Sequence, residues 1–123
     1  MNNIEELMQQ LKKEYVDSLP FKRKHITELY QQNKLVDLET EFHKMKGSGK
    51  TYGLPEVSLI GEILETICIE HPELLEKAMP FAQHFIDETY RLQNLNQSFD
   101  IEHSKEYIYL NSTLTRPLVG HRK

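Results

Sequence analysis

Residues 43–53 read HKMKGSGKTYG, and two chemistries compete for them. Gly47-Ser48-Gly49-Lys50-Thr51 could close a loop whose backbone amides wrap nucleotide phosphates, while His43 could serve as a nucleophile. The nucleotide reading fails on its own requirements. Counted back from Gly49-Lys50-Thr51, the opening glycine of such a loop would stand at position 44, where the chain has Lys44. A lysine cannot replace a glycine whose backbone must turn tightly. The loop must also follow a buried strand, whereas Leu35, Leu38, Phe42 and Met45 recur at helical spacing.

On that helix His43 is one residue beyond Phe42 and turns about 100° away from the centre of the apolar stripe. Glu39, Lys46 and Gly47 lie one turn from it, with Lys50 further along the same face. An exposed histidine, a lysine at i+3 and a glycine at i+4 suit the placing of a phosphoryl group. A neutral imidazole is a nucleophile near neutral pH. A lysine one turn away can neutralise the charge that a phosphoryl group brings. Glycine inside a helix costs about 1 kcal/mol, and here the missing side chain would let a partner's active site approach the imidazole. Lys44, Lys46 and Lys50 make the surroundings basic and would steer an acidic partner site toward His43.

The elements that must hold this face are helical throughout. Residues 3–17 carry Ile4, Leu7, Met8, Leu11 and Tyr15 on one stripe. Ser18-Leu19-Pro20 breaks or redirects the helix before a second run with Phe21, His25, Ile26, Leu29 and Tyr30. Gln31-Gln32-Asn33-Lys34 reads as a polar turn, and the helix from Leu35 runs through His43 toward Lys50. Pro55 opens the next helix, with Val57, Ile60, Ile63, Leu64 and Ile67 on one face and Leu59 and Cys68 at its edge. The last helix runs from Pro72 to about Leu95, facing Leu75, Ala78, Met79, Ala82, Phe85, Ile86, Thr89 and Leu92 inward, and Pro80 should kink or split it. The pattern predicts an all-α, up-down-up-down four-helix bundle with an N-terminal helical extension, over residues 1–96. Residues 97–123 read as a C-terminal tail that packs on the bundle or stays mobile. In it Tyr107-Ile108-Tyr109-Leu110 is read as extended, and Arg116-Pro117 breaks any helix.

His43-Lys44-Met45-Lys46-Gly47-Ser48-Gly49, followed by Tyr52-Gly53, resembles the H-x-[hydrophobic]-K-G-[small]-[small] signature of histidine-containing phosphotransfer (HPt) domains. The resemblance extends over about residues 3–95. It implies that His43 accepts a phosphoryl group from an aspartyl phosphate on a receiver domain and passes it to another receiver. It further implies that Lys46 stabilises the phosphate and that Gly47 is the small residue beneath the docked partner. Glu39, Lys44 and Lys50 would contact that partner. The expected partners are response-regulator receiver domains and a hybrid histidine kinase. The chain would have no cofactor of its own, the receiver bringing the Mg²⁺. Two positions depart from the family pattern. Gly49 replaces the usual Ser or Ala and should loosen the helix, and Lys34 stands where an acidic residue commonly opens it.

Composition narrows the remaining classes. The chain has 123 residues, net charge −4 and one cysteine. The charge balance gives no reason to expect nucleic-acid binding. The apolar run from Val57 to Ile69 is interrupted by Ser58, Gly61, Glu62, Glu65 and Thr66, and a membrane span takes about 20 apolar residues. MNNIEELMQQ lacks the features of a signal peptide, and a lone Cys68 fits a reducing cytoplasm. The six histidines show no i,i+4 pairing and the cysteine has no partner, so no metal site is expected. The absence of a nucleotide loop and of an acidic Mg²⁺ cluster points to a phosphoryl carrier that is not itself a kinase or ATPase, expected as a monomer. The alternative is a non-phosphorylated helical adaptor docking to a receiver or histidine kinase through the same face.

Overall fold

A computed structural model describes residues 3–97, 100, 104, 105 and 107–112. Over residues 3–94 five α-helices follow in order: α1 (Asn3–Asp17), α2 (Leu19–Gln31), α3 (Leu35–Thr51), α4 (Pro55–Glu70) and α5 (Leu75–Asn94). A 3₁₀ turn (Pro72–Leu74) precedes α5. In the ring of four, α2 packs on α3, α3 on α4, α4 on α5, and α5 back on α2. This is the expected bundle, with α1 as the added helix touching α2 and α5.

The turns follow from local chemistry. Helices α2, α3 and α5 end alike, each with a residue of positive φ just past the C-cap: Asn33, Gly53 and Asn96. In each case the next amide reaches back to a carbonyl of the last turn. Lys34 N–H donates to Leu29 O, Leu54 N–H to Gly49 O and Gln97 N–H to Leu92 O. Asparagine and glycine tolerate the left-handed conformation this closure needs. Pro20 and Pro55 sit in the first turns of α2 and α4, where the missing amide hydrogen is no loss. The break between α1 and α2 is slight, because Ser18 N–H still donates to Glu14 O and Lys22 N–H to Ser18 O. Helix α5 continues through Pro80 without splitting.

The core is built from Leu38, Phe42 and Met45 of α3, Val57, Ile60, Leu64 and Ile67 of α4, and Leu75, Ala78, Met79, Ala82, Phe85 and Ile86 of α5. Cys68 is buried with them, and its thiol is pushed up to about 12 by burial and by Glu39 and Glu65. Four positions read as apolar stripe lie elsewhere. Phe21 is exposed on α2, and α1 buries only Tyr15 and Val16 while Ile4, Leu7 and Met8 face solvent. The stripe of α1 overruns the surface available to cover it. Residues 107–112 are helical, not extended, with Leu110 buried and Tyr107 against the core. Packing on the bundle outweighs the β preference of the Tyr-Ile-Tyr run. Arg116-Pro117 lies outside the described residues.

The tightest contact in the fold is between α3 and α4. A Cβ at Gly61 would stand 2.4 Å from Lys46 N and 2.8 Å from Phe42 O. One at Gly49 would stand 2.7 Å from Ser58 N and 2.9 Å from Leu54 O. Gly49 is therefore a close-packing residue and not a loosening of the helix. Gly47, on the opposite face, has open space where its side chain would be.

These contacts separate the glycines energetically. Gly61→Ala should lower stability by about 1–3 kcal/mol, because backbone cannot rotate out of the way. Gly47→Ala should raise it by up to about 1 kcal/mol through helix propensity. Urea denaturation of the two variants checks both signs. A second test concerns Glu56, which is buried with Oε1 lacking a hydrogen-bond partner among the described residues. Burial raises its pKa, against the pull of its own backbone N–H and of Lys12. A raised carboxyl pKa adds stability below the unfolded-state value that is lost as pH rises through the folded-state value. Glu56→Gln should therefore stabilise the protein at neutral pH and flatten its stability profile above the ordinary carboxylate range, as read by thermal melts against pH.

Candidate functional site

His43 lies in the third turn of α3, its side chain 68% exposed. Helix α4 runs antiparallel to α3 after the short Tyr52–Leu54 turn, and Gly61 seats against the backbone at Phe42 and Lys46. One turn further along α4 this register brings Glu65 beside His43. Glu65 Oε2 lies 2.7 Å from His43 Nδ1, and Oε1 lies 3.8 Å from Lys46 Nζ. The Glu65 side chain is only 15% exposed.

A carboxylate can only accept, so Nδ1 must carry the proton of this hydrogen bond. The neutral ring then has its lone pair on Nε2. A half-buried carboxylate thus fixes the tautomer and the ring plane, as an orienting carboxylate does for other working histidines. The same carboxylate faces Lys46, so one acidic side chain spans both groups that the spacing on α3 selects.

The other expected residues are arranged less uniformly. Gly47 opens directly to solvent one turn beyond His43. Lys44 is exposed and paired with Glu41 at 3.1 Å. Lys50 is exposed near the end of α3, its backbone amide donating to Ser58 Oγ at 2.6 Å. Glu39 is half-buried and acts on the Cys68 thiol, which places it toward α4. Two of the three lysines already face a glutamate, so the field around His43 is less positive than the lysine spacing implies. Val36, two turns before His43, and Ile69, one turn beyond Glu65, add exposed apolar surface on this face.

Helix α1 braces the far end of α3. Tyr15 stacks on Tyr52 with ring centroids 5.0 Å apart, and its hydroxyl lies 2.9 Å from Ser48 Oγ. Ser48 Oγ in turn donates to Lys44 O at 2.7 Å. Burial raises the Tyr15 pKa, so it stays a neutral phenol in this network.

A family model for the Hpt domain matches residues 2–102. The chain belongs to the Hpt domain family. No curated protein and no solved structure matches it. Hpt domains serve histidine phosphotransfer in phosphorelays, as phosphoryl carriers and not as kinases, with partners such as receiver domains. Among the described residues of this Hpt chain, no helix is long and apolar enough to cross a membrane, and no group of three or more His, Cys, Asp or Glu side chains could hold a metal ion.

Glu65 is the site residue that the spacing of α3 does not reveal, being 22 positions from His43. Its one trace in the sequence is a carboxylate inside the most apolar helix, one turn after a glycine. Its role gives a spectroscopic test. Glu65→Ala should release the tautomer, and the imidazole ¹⁵N shifts of His43 should move from a dominant Nδ1–H form toward a mixture. Unchanged shifts would show that Glu65 does not orient the ring.

Proposed function

We propose that this chain is a phosphorelay intermediate in which His43 Nε2 accepts a phosphoryl group from a receiver-domain aspartyl phosphate and returns it to the aspartate of another receiver. The observation that carries this reading is the exposed His43 whose Nδ1 is held by the half-buried Glu65 within an Hpt domain. In the transfer, the Nε2 lone pair attacks phosphorus in line and the acyl phosphate P–O bond breaks. The receiver's carboxylate departs as aspartate. The Nδ1 proton stays in place, and Glu65 balances the positive charge that the ring gains. Lys46 leaves Glu65 for the phosphoryl oxygens. Phosphoryl transfer of this kind needs position and charge neutralisation more than covalent machinery. The receiver supplies its own carboxylates and Mg²⁺.

Gly47 lets the partner's active site reach Nε2, and Glu39, Lys44 and Lys50 border the docking face with Val36 and Ile69. A mixed apolar and charged surface suits a partner that must dock and leave. The upstream phosphate comes from a hybrid histidine kinase through its receiver, and the protein works in the cytoplasm.

The test is transfer from a panel of phosphorylated receivers, read by intact-protein mass and by the acid lability of the adduct. Wild type should gain one acid-labile phosphoryl group. His43→Gln should gain none while its stability stays within about 0.5 kcal/mol of wild type, as expected for an exposed site. Lys46→Ala should transfer more slowly or lose its phosphohistidine faster, with the fold intact. If no receiver phosphorylates the wild type, the carrier reading falls and a non-phosphorylated adaptor takes its place.

A further inference from the structure

The helical stretch at residues 107–112 lies against α5, with Lys77 Nζ 6.0 Å from the centre of the Tyr109 ring. The two elements do not close completely. Between them is an open cavity of about 230 Å³ lined by Lys77, Phe81, Lys105, Tyr109 and Leu110. Phe81 and Leu110 are 5% and 2% exposed and make its floor apolar, while Lys77 and Lys105 are exposed. Sites for free small molecules run to roughly 300–1,000 Å³. This smaller, open pocket suits the insertion of one large apolar side chain, the usual anchor of a protein contact.

The charge beside the pocket says what kind of chain brings that anchor. Lys13, Lys44 and Lys46 each lie beside a carboxylate of this protein. Among the described residues Lys77 and Lys105 have no such partner, although the net charge is −4. Glu73, one turn before Lys77, is turned instead to His71, 3.5 Å away. No carboxylate lines the cavity. Two free ammonium groups beside an apolar floor complement an apolar side chain with carboxylates beside it. The chain's own residues 113–123 include Arg116, Arg122 and Lys123 and no acidic side chain, so they meet these lysines with like charge.

We propose that the pocket between α5 and residues 107–112 is a docking site for an acidic segment of another protein, held by one large apolar side chain on Phe81 and Leu110 and by carboxylates on Lys77 and Lys105. Helix α5 packs on α2 and α4 and stands across the bundle from α3. An occupant of the pocket therefore leaves His43 open, and tethering at one side is compatible with engagement of His43 at the other.

The probe is the capped peptide Asp-Glu-Asp-Phe-Glu-Asp-Glu, titrated to about 5 mM into the ¹⁵N-labelled full chain, a range that reaches past millimolar affinity. Amide signals of Lys77, Phe81, Lys105, Tyr109 and Leu110 should move and saturate, while those around His43 stay in place. Replacing the peptide's Phe by Ser should weaken binding about tenfold, and replacing its acids by lysines should abolish it. The double variant Lys77→Glu, Lys105→Glu should also bind about tenfold more weakly or worse, with an unchanged circular dichroism spectrum because both side chains are exposed. If that variant does not fold, Lys77→Gln alone and the loss of wild-type binding with added NaCl decide the matter. Shifts that do not saturate, that lie elsewhere, or that the Ser peptide or the lysine variants reproduce in full overturn the proposal. Pocket amides that move with protein concentration alone would give the pocket to a second copy. Pocket amides that move on Leu118→Ser would give it to the chain's own residues 113–123. Either result overturns the proposal as well.

Discussion

Where α4 crosses α3, Gly61 has only hydrogen to place against the backbone at Phe42 and Lys46, and the working face depends on that contact. Any larger residue would push the helices apart. The close approach fixes the antiparallel register, the register puts Glu65 one turn along, and Glu65 reaches His43 at 2.7 Å because the helices touch at their backbones. Gly49 repeats the device nearer the turn, against Ser58 and Leu54. Two glycines therefore set the geometry of a histidine that neither of them contacts. Gly47, two residues before Gly49, faces the other way and is bare for a different reason.

Much of this architecture is legible in the chain itself. The stripes of α3, α4 and α5 are regular, and nearly every apolar residue on them is buried, because each has a neighbouring helix to meet. His43 is exposed for the same reason: its angle from Phe42 leaves no alternative on a helix so placed. What escapes is whatever depends on the relation between elements. Periodicity marks the α1 stripe as apolar but cannot say that the bundle end is too small to cover it. The Tyr107–Leu110 segment has side chains that favour strands, and only the groove it packs into makes it helical. Glu65 looks like a flaw in the α4 stripe until α3 is laid against it. Gly49 looks like a weak point in α3 until α4 is.

Electrostatics at the site follow the same logic. Counting lysines around His43 suggests a positive patch, yet Lys44 and Lys46 are each met by a glutamate from their own helix or the next. The resting surface is close to balanced, with Lys46 resting beside the Glu65 carboxylate. Such an arrangement favours reversible occupation: a negatively charged group is accommodated by exchanging partners, with no unpaired charge before or after.

Cys68 sits on α4 three residues after Glu65, buried and with its thiol shifted to about 12. At neutral pH a thiol so shifted stays protonated, and the thiolate is the form that attacks peroxides and disulfides. Oxidative stress thus has no easy chemical entry to this molecule through sulfur at that position, even though the thiol lies within a turn of Glu65. The chain's one cysteine is shielded from the redox state of its surroundings.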